Sequence, residues 1–78
     1  MSGPAELTLY SRSGCHLCHD AEQALEALGQ PFTRIDIGGD PELEARYGWD
    51  VPVLLRSGEV IAKGVINRAR LRRVLGPG

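Results

Sequence analysis

The sequence lacks any apolar run near the roughly 20 residues that a membrane-spanning helix requires. Its first stretch, Met1 to Tyr10, also lacks a basic segment followed by a long apolar one. Together these absences lead us to expect a cytoplasmic protein without a membrane partner. Charge of one sign is equally scarce: 9 Lys and Arg against 10 Asp and Glu give a formal net charge of -1, which offers no electrostatic basis for holding nucleic acid. There are only 2 cysteines, Cys15 and Cys18, too few for the disulfide framework of a small secreted domain. A bridge between them would close so small a loop that it would staple almost nothing. Reactivity or metal binding explains such a pair better than architecture does. Finally, 78 residues leave room for one thin core, so residues 1–78 are expected to form a single domain, a monomer, with any site on its surface. No repeat, low-complexity tract or linker interrupts the chain, and only Gly3-Pro4 and Gly76-Pro77-Gly78 look like loose ends.

What is present is a series of short elements that alternate in type. Glu6 to Tyr10 reads as a strand with Leu7 and Leu9 on one face, followed by the polar turn Ser11-Arg12-Ser13-Gly14. A helix begins near Cys15; Leu17, Ala21, Ala24, Leu25 and Leu28 form its packed arc, and Gly29 and Pro31 end it. Phe32 to Ile37 is strand-like, with Thr33, Ile35 and Ile37 on one face, and Gly38-Gly39 stops it. A brief helix follows, capped by Asp40 with Pro41 at its first position, using Leu43 and Tyr47 as apolar contacts and ending at Gly48. Val53 to Arg56 and Glu59 to Lys63, joined by Ser57-Gly58, form a hairpin. The last helix runs from Arg68 to Leu75 behind Asn67, with Leu71, Val74 and Leu75 inward. Its Arg68, Arg70, Arg72 and Arg73 make a cationic face, which is ordinarily a solvated one.

Only a thiolate attacks a disulfide, so a cysteine nucleophile needs something that stabilises negative charge. The start of a helix supplies unpaired backbone N–H groups and the positive end of the helix dipole. Cys15 at that start is therefore the expected attacking thiol. Helical projection puts Cys15 toward solvent and Cys18 at the margin of the packed arc, one turn deeper, where it can resolve a mixed disulfide.

Two stretches resemble the glutaredoxins of the thioredoxin superfamily. One is Leu9-Tyr10-Ser11-Arg12-Ser13-Gly14-Cys15-His16-Leu17-Cys18, with C-x-x-C directly after a first strand; the other is Tyr47-Gly48-Trp49-Asp50-Val51-Pro52-Val53-Leu54. The resemblance covers nearly the whole chain. It implies an α/β thioredoxin-like fold, a central four-stranded mixed sheet flanked by three helices in the order β-α-β-α-β-β-α. It also implies a dithiol oxidoreductase that reduces disulfide-containing proteins or glutathione mixed disulfides, with no bound cofactor or metal and glutathione as reductant. Val51 and Pro52 correspond to the cis-proline turn that meets an extended substrate, although Pro52 could equally begin an edge strand. Arg12 stands where glutaredoxins carry a basic residue for a glutathione carboxylate. Gly64 and Asn67 match the family's glutathione-binding stretch in part, and Asn67 also suits a plain helix cap. The chain departs from the family pattern in His16-Leu17, which replace Pro-Tyr, and in Lys63-Gly64-Val65-Ile66-Asn67, which replaces a double glycine and an acidic pair. His16 either stabilises the Cys15 thiolate when protonated or is a bystander; His19 is a weaker candidate.

Other readings remain open on these residues. Cys15-His16-Leu17-Cys18-His19 fits the C-x-x-C-H of c-type haem attachment, but Met1 is the sole methionine available as a sixth ligand. The two cysteines and a histidine could begin a zinc site, or hold an iron-sulfur cluster between two copies, although no second cysteine pair completes it. A partner-binding domain that kept the fold without turnover is the third.

Overall fold

The computed structural model describes residues 6–76; the proposed loose ends at Gly3-Pro4 and Pro77-Gly78 lie outside the described residues. Seven elements follow one another: β1 Leu7–Ser11, α1 His16–Ala27, β2 Thr33–Asp36, α2 Pro41–Tyr47, β3 Val53–Arg56, β4 Glu59–Lys63 and α3 Arg68–Leu75. This is the order expected from the resemblance. The strands form one mixed sheet, β2-β1-β3-β4, in which β1 runs parallel to β2 and antiparallel to β3. A parallel pair needs a crossover, and α1 provides it. The β3–β4 hairpin closes through Ser57 and Gly58, whose φ values of 50° and 87° are both left-handed, as a two-residue primed turn demands.

Strand alternation decides where the core lies. Leu7 and Leu9 of β1, Leu54 of β3 and Ala62 of β4 share the face that receives Ala21, Ala24 and Leu25 of α1, together with Ile66 and Leu71. Helices α1 and α3 thus cover one face. Tyr10, which alternates with Leu9, points to the other, where its ring lies 5.0 Å from that of Tyr47 in α2.

Three packing expectations are corrected. Leu17 is exposed rather than packed, because it lies in the first turn of α1, before that helix reaches the core cluster beginning at Ala21. Cys18 is not marginal: it is 1% exposed. In β2, Thr33 and Ile35 are exposed while Ile37 is buried just beyond the strand, as befits an edge strand with little covering its faces. Helix α2 buries no residue completely, and Tyr47 is half-buried. The periodicity also gave no sign of the irregularity between Leu54 and Leu55, where Leu54 pairs with Ala62 but Leu55 with Val60.

The register gathers one end of each strand. Ser11 pairs with Asp36, Tyr10 with Val53, and Val53 with Lys63. The segments 12–15, 37–40, 48–52 and 64–66 consequently leave the sheet at the same edge. Leu25 is wholly buried in the α1–sheet contact; Leu25→Ala should lower unfolding free energy by about 2–5 kcal/mol. Urea denaturation checks this, and a loss below about 1 kcal/mol would contradict the packing.

Candidate active site

Cys15 lies at this edge, between the end of β1 and the start of α1. Gly14, at φ 78°, makes a left-handed turn that a side chain would strain, and the Cys15 N–H donates to the Arg12 carbonyl at 3.2 Å. The chain therefore reaches Cys15 in an extended conformation, φ -89° and ψ 114°, as the N-cap of α1. An N-cap side chain normally offers an oxygen to a backbone donor of the first turn. Here the Cys15 Sγ takes that part, accepting the Cys18 N–H at 3.2 Å. Negative charge on this sulfur would meet an oriented amide, and Cys15 is half-buried.

Cys18 has the opposite surroundings. Burial is the largest cause that pushes its thiol from the ordinary 9.0 up to about 11, and interaction with Cys15 adds to it, while the nearby Arg12 backbone and Ser11 side chain partly offset the rise. Both cysteines are free thiols. They form an accessible sulfur that accepts a hydrogen bond and a sealed sulfur that keeps its proton at neutral pH.

The turn before Cys15 is anchored by residues that the sequence pattern did not single out. The Ser13 Oγ donates to Asp36 Oδ2 at 2.7 Å, and the Gly38 N–H donates to Asp36 Oδ1 at 2.8 Å. The Ser13 hydrogen bond first, and the Gly38 amide second, hold the Asp36 carboxyl below its usual range. Ser11 is completely buried and donates to Glu22 at 3.4 Å, while Arg34 binds the same Glu22 oxygen at 2.9 Å. An acidic residue closing a strand parallel to β1 was the available signal for Asp36; Glu22 carried none.

The other expected site residues take these places. The Val51–Pro52 peptide is cis, and Pro52 is buried. The Val51 N–H donates to the Tyr47 carbonyl at 3.1 Å, so the donor half of the expected substrate pairing is engaged within the chain. Gly64 donates its N–H to the Pro52 carbonyl at 3.0 Å, tying the 64–66 segment to this turn. Asn67 caps α3, its side-chain oxygen accepting the Arg70 N–H at 2.9 Å. His16 is 86% exposed and lies 3.5 Å from Asp20, one turn along α1. Arg12 is paired with Glu44 of α2. Gly48 is needed beside that pair, since a Cβ there would lie 2.5 Å from the Glu44 carbonyl oxygen and 3.1 Å from the Arg12 guanidinium. Among the described residues, no three His, Cys, Asp or Glu side chains converge as a metal centre within one chain would need. No described helix is long and apolar enough to cross a membrane.

The family model for the glutaredoxin-like domain (DUF836) matches residues 6–76. The chain belongs to that family. Among solved structures, the target protein XcR50 from X. campestris is similar at 40% identity and a TM-score of 0.81, over 91% of this chain and 99% of that one. The protein Ne2328 from Nitrosomonas europaea is similar at 27% identity and a TM-score of 0.79, over 97% of this chain and 92% of that one. The glutaredoxin grx-1 from Archaeoglobus fulgidus shares 21% identity with a TM-score of 0.70, over 96% and 90% of the two chains, a likeness of fold alone. A comparison with curated proteins returns no match. The glutaredoxin-like chain is thus an α/β protein of thioredoxin-like fold.

The raised Cys18 thiol makes stability depend on pH. Between about 9 and about 11 the unfolded chain gives up this proton while the folded one keeps it, so the reduced protein should lose up to about 3 kcal/mol as pH rises through that window. Urea midpoints measured under a phosphine reductant check this, with Cys18→Ala showing a flatter pH profile. Parallel profiles for the two proteins would contradict the assignment to Cys18.

Proposed function

We propose that the chain is a dithiol thiol-disulfide oxidoreductase that reduces protein or glutathione mixed disulfides through Cys15 and Cys18. The observation that carries this reading is the inequality of the two sulfurs: Cys15 is reachable and accepts an amide hydrogen bond, while Cys18 is buried one turn behind it.

In the first step the Cys15 thiolate attacks one sulfur of the substrate disulfide. A bond forms between Cys15 and that sulfur, and the other half leaves as a thiolate that takes up a proton. The Cys15 sulfur is then neutral, which removes one of the influences that raised the Cys18 thiol. Cys18 gives up its proton to solvent and attacks the Cys15 sulfur, and the second half of the substrate leaves as a thiolate that is protonated in turn. The substrate has gained two electrons, and the protein holds a Cys15–Cys18 disulfide. A thiol reductant such as glutathione returns the pair to the reduced form by the same exchange. Charge on the transient thiolate falls where the Cys18 amide already points, so little reorganisation is needed.

Cys15→Ser should abolish disulfide reduction, lowering the rate by more than about a thousandfold, because an alcohol does not replace the attacking thiolate. Cys18→Ser should instead accumulate a mixed disulfide at Cys15, read by mass spectrometry under non-reducing conditions. An active Cys15→Ser protein would contradict this division of roles between the two cysteines.

A further inference from the structure

A recess of about 260 Å³ is lined by Arg12, in the turn that leads to Cys15, and by Glu44, Gly48 and Trp49. Arg12 links the two places, since its carbonyl closes the turn onto Cys15 while its side chain lines the recess. Trp49 is 100% exposed, an indole left in water three residues before Pro52. Burying so large an apolar face is favourable for any occupant, and Trp is a frequent anchor at binding surfaces. The recess is therefore placed to receive the part of a substrate that lies beyond its disulfide.

The charge of this recess is set by one pair. The Arg12 guanidinium would attract an anionic substrate, yet it is engaged by Glu44, and both side chains are partly exposed, at 39% and 41%. A carboxylate arriving from a substrate must displace one already bound. Across the same sheet edge, Lys63 is likewise matched by Asp50, at 3.8 Å. Arg70 keeps its charge while donating to the carbonyls of Lys63 and Val65 at 2.9 and 2.8 Å, so the edge is not uniformly neutral and Glu44 acts on one part of it.

We propose that Glu44 is a selectivity residue: by neutralising Arg12 it removes the preference for anionic disulfide substrates that the guanidinium would otherwise give the recess, so that uncharged and cationic ones compete with them. This rests on the redox reading above and names the substrate class for it. Glu44 acts through Arg12 and takes no part in the exchange of sulfur bonds. Because the pair is partly solvated, the discrimination should be moderate, roughly threefold to tenfold.

The test uses the fully reduced protein in single-turnover oxidation by three probes: glutathione disulfide, which is anionic, bis(2-hydroxyethyl) disulfide, which is neutral, and cystamine, which is cationic. Acid quenching and alkylation read the two-electron loss of the Cys15 and Cys18 thiols as two product thiols are released. In Glu44→Gln the rate ratio of glutathione disulfide to the neutral probe should rise roughly threefold to tenfold. In Arg12→Gln, which leaves Glu44 uncompensated, the ratio of cystamine to the neutral probe should rise instead. The double variant should return both ratios toward those of the unaltered protein. A merely structural ion pair would slow all three probes alike. If all three oxidise the pair and the ratios do not move, the selectivity inference is overturned with the redox reading intact; if none oxidises it, both fall.

Discussion

A sulfur occupies the position at which a helix ordinarily receives an oxygen. The Cys15 side chain accepts the Cys18 amide at 3.2 Å as the N-cap of α1, and this contact fixes much else about the site. It requires the chain to arrive extended, which the left-handed Gly14 and the Arg12 carbonyl arrange. It also places the second cysteine one turn further on, on the side of α1 from which water is excluded. One capping contact thereby separates the two thiols into different environments. The difference in their surroundings is a consequence of where the helix starts.

The sheet supplies the surroundings. Because β1 and β2 are parallel while β3 and β4 form an antiparallel hairpin, the ends of β1, β2 and β4 and the start of β3 meet at one edge. Segments far apart in the chain are tied together at this edge: Asp36 steadies Ser13, Glu44 of α2 engages Arg12, and Gly64 fastens its loop to Pro52. Open α/β sheets commonly place their ligands outside the carboxyl ends of their parallel strands, and Cys15 lies just beyond the carboxyl end of β1.

Much of this was legible in the sequence, for identifiable reasons. Helix α2 could be read from Asp40 and Pro41, and Asp40 does accept from Glu42 and Leu43. The hairpin followed from Ser57-Gly58, and the C-x-x-C pair from its place after an alternating strand. What escaped depended on tertiary placement. Leu17 obeys the helical period, yet its turn lies short of the core cluster. Ile35 has a strand's composition, but an edge strand leaves it in solvent. The Arg12–Glu44 pair joins residues on separate elements, and no local spacing announces it; the same holds for Ser13 with Asp36. His16, singled out by its neighbours in sequence, lies 3.5 Å from Asp20 and is largely exposed, a contact that the spacing of C-x-x-C does not announce.

The proposed mechanism requires unequal chemistry of the two thiols, and competitive alkylation reads it directly. The reduced protein is treated with less than one equivalent of iodoacetamide at neutral pH, and the labelled peptide mapped by mass spectrometry. Carboxamidomethyl should appear on Cys15 in at least about a tenfold excess over Cys18, because the accessible, hydrogen-bonded sulfur reacts while the sealed thiol keeps its proton. Equal labelling, or labelling of Cys18 first, would contradict that inequality.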